Sequence, residues 1–255
     1  MKITVCELPH WPEQLAYSWA ALCEHASGHR SELVLLPEFA FVEPIWEVGH
    51  FDYSRWAAAV ALSDEWLSRL PELHASYVVG TRPVTVAGQH YNEGYLWSRQ
   101  EGYVPLRRKY FLPNEAGAWE ARWFARGSEE FPEFTAGGLS FGLNICTELW
   151  ALDTYSSYAS LSINAILAPR ATAAATTSKW LSVGTVAAVR SGAYSLSSNR
   201  VHPDGSYGGA GWIIGPDGEL LAKTSRRAPF STLNIDLIAA AIACRTYPRY
   251  VFAAT

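Results

Sequence analysis

Two short runs constrain the fold more than any other part of the chain. "ELVLLPE" (32–38) and "NAILAPR" (164–170) each hold an unbroken apolar stretch, stopped by a proline that a charged residue follows at once. A run of that length without polar alternation suits a strand covered on both faces. Proline cannot donate to a sheet ladder, so each strand has a defined end. Helices must cover such strands, and the rest of the sequence supplies them.

"KITVCEL" (2–8) reads as a first strand, and "EQLAYSWAALCEH" (13–25) carries apolar groups at helical spacing. A second helix is expected over 53–70. "SYVVGTRPV", "YNEGYLWS" and "GYVPLRRK" then read as successive strands joined by turns. The second half repeats this order. "LSFGLNIC" is a strand, a helix starts near Asp153, and the second apolar run follows. "TTSKWLSVGTVAAVRSG" is a helix ending at Gly192, and "AYSLSSNR" is a strand. "GAGWIIGPDGELLAKT" turns at Pro-Asp-Gly as a hairpin, and "FSTLNIDL" closes the set. No repeat, low-complexity block or linker interrupts the pattern. The expectation is one α/β domain over 1–255, with room for two sheets packed face to face and helices outside.

Composition narrows the function classes. Apolar residues make up 49% and charged residues 17%, which is a globular balance. A net charge of −4, with "RRK" (107–109) too short to form a basic patch, gives no reason to expect nucleic acid or anionic membrane as partner. The start "MKITVCELPHW" lacks the features of a signal peptide, and no apolar stretch is long enough to span a bilayer. Cys6, Cys23, Cys146 and Cys244 lie far apart with no metal-ligand spacing, so a reduced, cytoplasmic protein without a zinc site is expected. The eleven tryptophans are expected to pack the core and subunit interfaces, with some walling a substrate pocket.

Three strand ends carry residues that burial alone disfavours: Glu38 after "LVLLP", Lys109 after "GYVPLRR" and Cys146 after "LSFGLNI". Reactive groups collect where strands finish, because the sheet fixes their positions. A cysteine nucleophile needs a proton acceptor and a stabiliser for the charge it creates. None of the seven histidines follows such a strand. A glutamate near a lysine can do the same work: the carboxylate takes the thiol proton and the ammonium steadies anionic oxygen.

"LLPEF", "RRKYFLPNEAGAWEARWFARG" and "GLNICTELW" resemble, in order, the signature segments of the nitrilase superfamily, the carbon–nitrogen hydrolases. "NAILAPRAT", "WLSVGTVAAVRSGAYSLSSNR" and "GWIIGPDGELLA" resemble its flanking landmarks, so the resemblance covers nearly the whole chain. It implies a four-layer α-β-β-α sandwich that dimerises to α-β-β-α-α-β-β-α. It also implies that Cys146 is the nucleophile, Glu38 the general base and Lys109 the stabiliser of the tetrahedral intermediate. The backbone N–H of Thr147 becomes an oxyanion donor. A second glutamate in the loop after the lysine is either Glu115 or Glu120. The N-carbamoyl-amine amidase pattern aligns on Lys109, Leu112, Pro113, Gly117, Glu120, Trp123, Phe124 and Gly127, which favours Glu120.

The implied reaction is hydrolysis of a small amide through a thioester, without metal or organic cofactor. A nitrilase or an amide-forming acyltransferase would share the residues, and a catalytically silent binding or assembly subunit is the reading from another class. Several positions depart from the carbamoyl-type pattern. Phe111 replaces a histidine, "LWALD" (149–153) replaces substrate-gripping arginines, and Arg170 stands where a small residue is usual. Arg170 is expected to bind an anionic or carbonyl part of the substrate or to pair with a carboxylate, Glu148 to orient the lysine or a substrate or to serve structurally, and Trp119, Trp123 and Trp150 to make the pocket apolar.

Overall fold

The computed structural model describes residues 1–252; the last three residues of the expected domain lie outside the described ones. The first half runs β1 (Lys2–Leu8), α1 (Pro12–His29), β2 (Leu33–Leu35), α2 (Tyr53–Leu67), β3 (Tyr77–Val86), β4 (Gln89–Ser98) and β5 (Gly102–Arg108). A short α3 (Glu120–Trp123) leads into β6 (Phe134–Ala136), β7 (Leu139–Leu143), α4 (Asp153–Leu161), β8 (Ala165–Arg170), α5 (Thr177–Ser191) and β9 (Tyr194–Arg200). The chain closes with β10 (Trp212–Ile214), β11 (Leu220–Lys223), β12 (Phe230–Asn234) and α6 (Leu237–Ala243). Among the described residues, no helix is long and apolar enough to cross a membrane.

The strand order is β5-β4-β3-β2-β1-β9-β8-β7-β6, with β12 also on β1 and the β10–β11 hairpin on β9. β1 serves two sheets. Its residues Ile3–Val5 pair in parallel with β2, while Glu7 and Leu8 pair in parallel with β9. The two sheets lie face to face over a shared core in which Leu33, Leu35 and Val79 meet Phe141, Leu143, Leu167 and Leu196. The alternation of β2 explains why its run has no polar gap. Leu33 and Leu35 enter that inter-sheet core, while Val34 and Leu36 pack beneath Trp19 and Leu22 of α1.

Strand direction decides where functional groups gather. β1, β2 and β3 run parallel, as do β7, β8 and β9. β5 is antiparallel to β4, which is antiparallel to β3, so β5 points the same way as β3. The C-terminal ends of β2, β5, β7, β8 and β9 therefore all lie at one edge, with Arg170 and Arg200 closing β8 and β9 and Glu38, Lys109 and Cys146 just beyond the others.

Local chemistry also accounts for where the sequence reading ran past an element. The second helix stops at Leu67, and Pro71 opens a separate 3-10 turn over Leu70–Leu73. "FSTLNIDL" is not one strand: β12 ends at Asn234, and the Asp236 side chain accepts from Ile238 N–H at 2.9 Å to cap α6. The three-residue β6 is too short to show a period. Trp19, Trp56, Trp123 and Trp212 are fully buried, and each indole N–H has a partner, on Glu72, Thr85, Val48 and Ser195 respectively.

The loop after β5 returns against that strand at Gly127, whose N–H donates to Lys109 O at 2.9 Å. A Cβ there would lie 2.2 Å from the Arg108 carbonyl oxygen, and a strand backbone cannot yield. Gly127→Ala is expected to lift the loop and cost about 1–3 kcal/mol. Urea unfolding measures this, and an unchanged midpoint would contradict so close an approach.

Candidate active site

Glu38 sits in the turn after β2, and its backbone is held from both sides. Its N–H donates to Arg170 O at 3.2 Å, and Arg200 Nε donates to its carbonyl at 2.9 Å. The Arg200 guanidinium also donates to the carbonyls of Phe39 and Val42. Phe39 adopts φ 48°, and its N–H donates to Thr81 Oγ1 at 2.9 Å. A non-glycine residue keeps such a conformation only when its surroundings impose it. The result is that the Glu38 carboxylate is aimed inward, where Asn92 Nδ2 donates to Oε1 at 2.8 Å.

Lys109 is the first residue beyond β5 and is fully buried. Its N–H donates to Asn92 O at 2.8 Å. Its Nζ lies 2.9 Å from Glu38 Oε1 and 2.8 Å from both Glu120 oxygens, with Oε1 in hydrogen-bonding orientation. Glu120 opens α3, which is pinned from outside by Trp119 N–H on Trp46 O at 2.8 Å and Arg122 Nη1 on Gly49 O at 2.6 Å. Glu115, the other acidic residue of this loop, is exposed and pairs through its backbone with Ala118, so the lysine meets Glu120.

Cys146 lies three residues past β7, at the start of a 3-10 turn over Cys146–Trp150, with φ 49° and 5% exposure. The first N–H groups of a helical turn have no partner within it, so the N–H of half-buried Thr147 is available to a ligand. Burial pushes the Cys146 thiol well above its ordinary pKa; Glu38 and Glu120 add to this while Lys109 opposes it. The resting thiol is therefore protonated. Burial alone would lower the Lys109 pKa, but Glu120 and Glu38 outweigh it and hold the ammonium charged. Burial raises Glu120 to about 7, with Lys109 pulling it down and Glu38 pushing it up.

Two of the expected substrate contacts are placed otherwise. Arg170 is 1% exposed and its guanidinium is engaged by protein oxygens. Nε donates to Ser197 Oγ at 2.7 Å, Nη1 to Thr172 Oγ1 at 2.8 Å and Nη2 to Ala210 O at 2.8 Å, and the group lies 4.0 Å over the Trp212 ring. β8 is buried along its whole length, so the side chain at its end turns inward instead of reaching a pocket. Glu148 is also fully buried and binds Arg107 and backbone N–H groups. Trp150 is 46% exposed and meets Trp180 edge-on at 5.4 Å, while Trp123 belongs to the core.

Arg200, Asn92 and Arg107 also shape the site and were not singled out from the sequence. Arg107 had a readable signal. Residues two apart share a strand face, so in "RRK" Arg107 and Lys109 turn inward together, while Arg108 turns out to pair with Glu93 at 2.9 Å.

A family model described as carbon-nitrogen hydrolase matches residues 2–242. Among solved structures, a carbon-nitrogen hydrolase from Helicobacter pylori G27 superposes with a TM-score of 0.86 at 18% identity, covering 98% of this chain and 94% of that one. A CN-hydrolase superfamily protein from Xanthomonas campestris, with an arsenic adduct in its active site, gives 0.82 at 16% identity, covering 100% and 97%. A mutant amidase from Nesterenkonia sp. AN1, carrying the acetamide moiety of fluoroacetamide on its active-site cysteine, gives 0.78 at 18% identity, covering 95% and 92%. At these identities the likeness shows the fold. No curated protein matches the chain.

The raised Glu120 carboxyl has a pH signature. A carboxyl whose folded pKa is raised contributes stability that is fully present below its ordinary value and lost as pH rises through the folded value. For Glu120 that window runs from 4.5 to about 7. The stability advantage of the native chain over Glu120→Gln is expected to be larger at about pH 5 than at about pH 8, by urea unfolding at each pH. A constant difference would show that Glu120 takes up no proton there.

Proposed function

The chain belongs to the carbon–nitrogen hydrolase family, and we propose that it hydrolyses the carbon–nitrogen bond of a small amide through a Cys146 thioester. The observation that carries this reading is the buried ammonium of Lys109 held between Glu38 and Glu120, at the edge where the strained Cys146 turn emerges. A thiol kept protonated at rest needs a base at the moment of attack. Glu38 takes the Sγ proton as sulfur bonds to the amide carbon and the carbonyl electrons move to oxygen. The Lys109 ammonium and the Thr147 N–H stabilise that oxyanion. When the tetrahedral intermediate collapses, the C–N bond breaks, the leaving nitrogen takes the proton from Glu38, and ammonia or an amine departs. Water then gives a proton to Glu38 and attacks the thioester. The acid leaves and Sγ regains its proton.

Glu120 keeps the ammonium oriented throughout. The amidase among the structural neighbours supports an amide over a nitrile. Trp150, Leu152, Leu161 and Val186 leave apolar groups exposed on and beside α4 and α5, which supports a homodimer formed through these helices.

Incubation with a panel of small amides, N-carbamoyl compounds and nitriles, with ammonia release measured, is expected to show turnover of amides. Mass spectrometry is expected to find an acyl adduct on Cys146. Cys146→Ala should abolish both, and Glu38→Gln should lower kcat by about 10²–10⁴-fold. Full activity in Cys146→Ala would refute the reading, and turnover confined to nitriles would correct the substrate class.

A further inference from the structure

We propose that Glu148 is a positioning residue, whose single carboxylate sets the separation between the Lys109 ammonium and the Cys146 thiol. The proposal rests on the reading of Cys146 as nucleophile. Glu148 Oε1 accepts from Tyr110 N–H at 2.7 Å, and Oε2 accepts from Ile145 N–H at 2.9 Å. Tyr110 directly follows Lys109, and Ile145 directly precedes Cys146. The same carboxylate is gripped on both oxygens by Arg107, with Nη2 donating to Oε1 at 3.1 Å and Nη1 to Oε2.

The need for such a tie comes from the topology. β5 and β7 stand toward opposite ends of the strand order and share no ladder. Their backbone hydrogen bonds therefore leave the distance between Lys109 and Cys146 unset, although the lysine must meet charge that the cysteine creates. Glu148 spans the two strand ends. It also shapes the turn that presents Cys146: its N–H donates to Ile145 O at 3.1 Å and its carbonyl accepts from Asn144 Nδ2 at 2.9 Å. That closes the turn around a residue at φ 49°. Arg107 is anchored in its own right by the Phe131 ring, 4.1 Å away. A carboxylate needed only to neutralise Arg107 would have no reason to accept from the two N–H groups that flank the reactive pair.

Glu148→Gln keeps the volume but offers one acceptor oxygen where two are used, and it sets an amide N–H against other donors. Misplacement on the scale of an ångström costs about 100-fold in rate. Glu148→Gln is therefore expected to lower kcat for acetamide hydrolysis by about that factor with KM little changed. It should also slow alkylation of Cys146 by iodoacetamide, followed by mass spectrometry. The double variant Arg107→Met/Glu148→Gln separates positioning from charge balance, because removing both charges restores neutrality but not the two N–H contacts; it should remain slow.

Wild-type kcat and alkylation rate in Glu148→Gln, or their recovery in the double variant, would overturn the proposal. If Glu148→Gln does not fold, Arg107→Lys keeps the charge and loses the two-pronged grip. It should then show a smaller fall in kcat at unchanged KM, and no fall would overturn the proposal. Alkylation needs no amide substrate. A wild-type chain that hydrolyses no acetamide but keeps the alkylation order would retain the positioning role and refute only acetamide as substrate.

Discussion

One buried ammonium between two carboxylates is the constraint around which the rest of the molecule is arranged. Taking Lys109 out of water is tolerated because Glu38 and Glu120 lie within 2.9 Å of Nζ. Removing one member of a buried pair leaves an uncompensated charge, at a cost of about 3–5 kcal/mol. Each of the three therefore has to be delivered to its place by a rigid support. Glu38 is delivered by a turn tied to Arg170 and Arg200, Lys109 by a strand end, and Glu120 by a helical turn strapped to residues 46–49. Burial first, and the two carboxylates beside it second, push the Cys146 thiol up and keep it protonated at rest.

Much of this was legible in the sequence. The two apolar runs announced buried strands, and β2 and β8 are buried throughout; β2 ends ahead of Pro37, but Pro169 does not end β8, which stays paired with β9 through Arg170. The motif around Lys109 favoured Glu120 over Glu115, and Glu120 is the one against the lysine. A motif records which residue types recur together, and this one picked out the glutamate that meets Lys109.

Other features depend on distances that no local pattern carries. Arg170 looked like a substrate contact because an arginine at a strand end is unusual, yet hydroxyls from β9 and the loop after β8 consume its donors. Asn92 and Arg200 matter through bonds that join positions 54 and 162 residues apart in the chain. Glu148 reads as a residue orienting the lysine or a substrate, but the convergence of Tyr110 N–H and Arg107 on it joins positions far apart in the chain.

The strand shared by both sheets has a mechanical consequence. Because β1 pairs with β2 along one half and with β9 along the other, the two sheets are stitched into one body and cannot slide or hinge apart without breaking that strand's ladders. Cys146 is nearly closed off from solvent, so a route to it would open by movement of loops and not by parting of layers. The segments around residues 39–51 and 110–127 carry the tethers of Glu38 and Glu120. A shift of either segment would therefore disturb the carboxylates that hold Lys109.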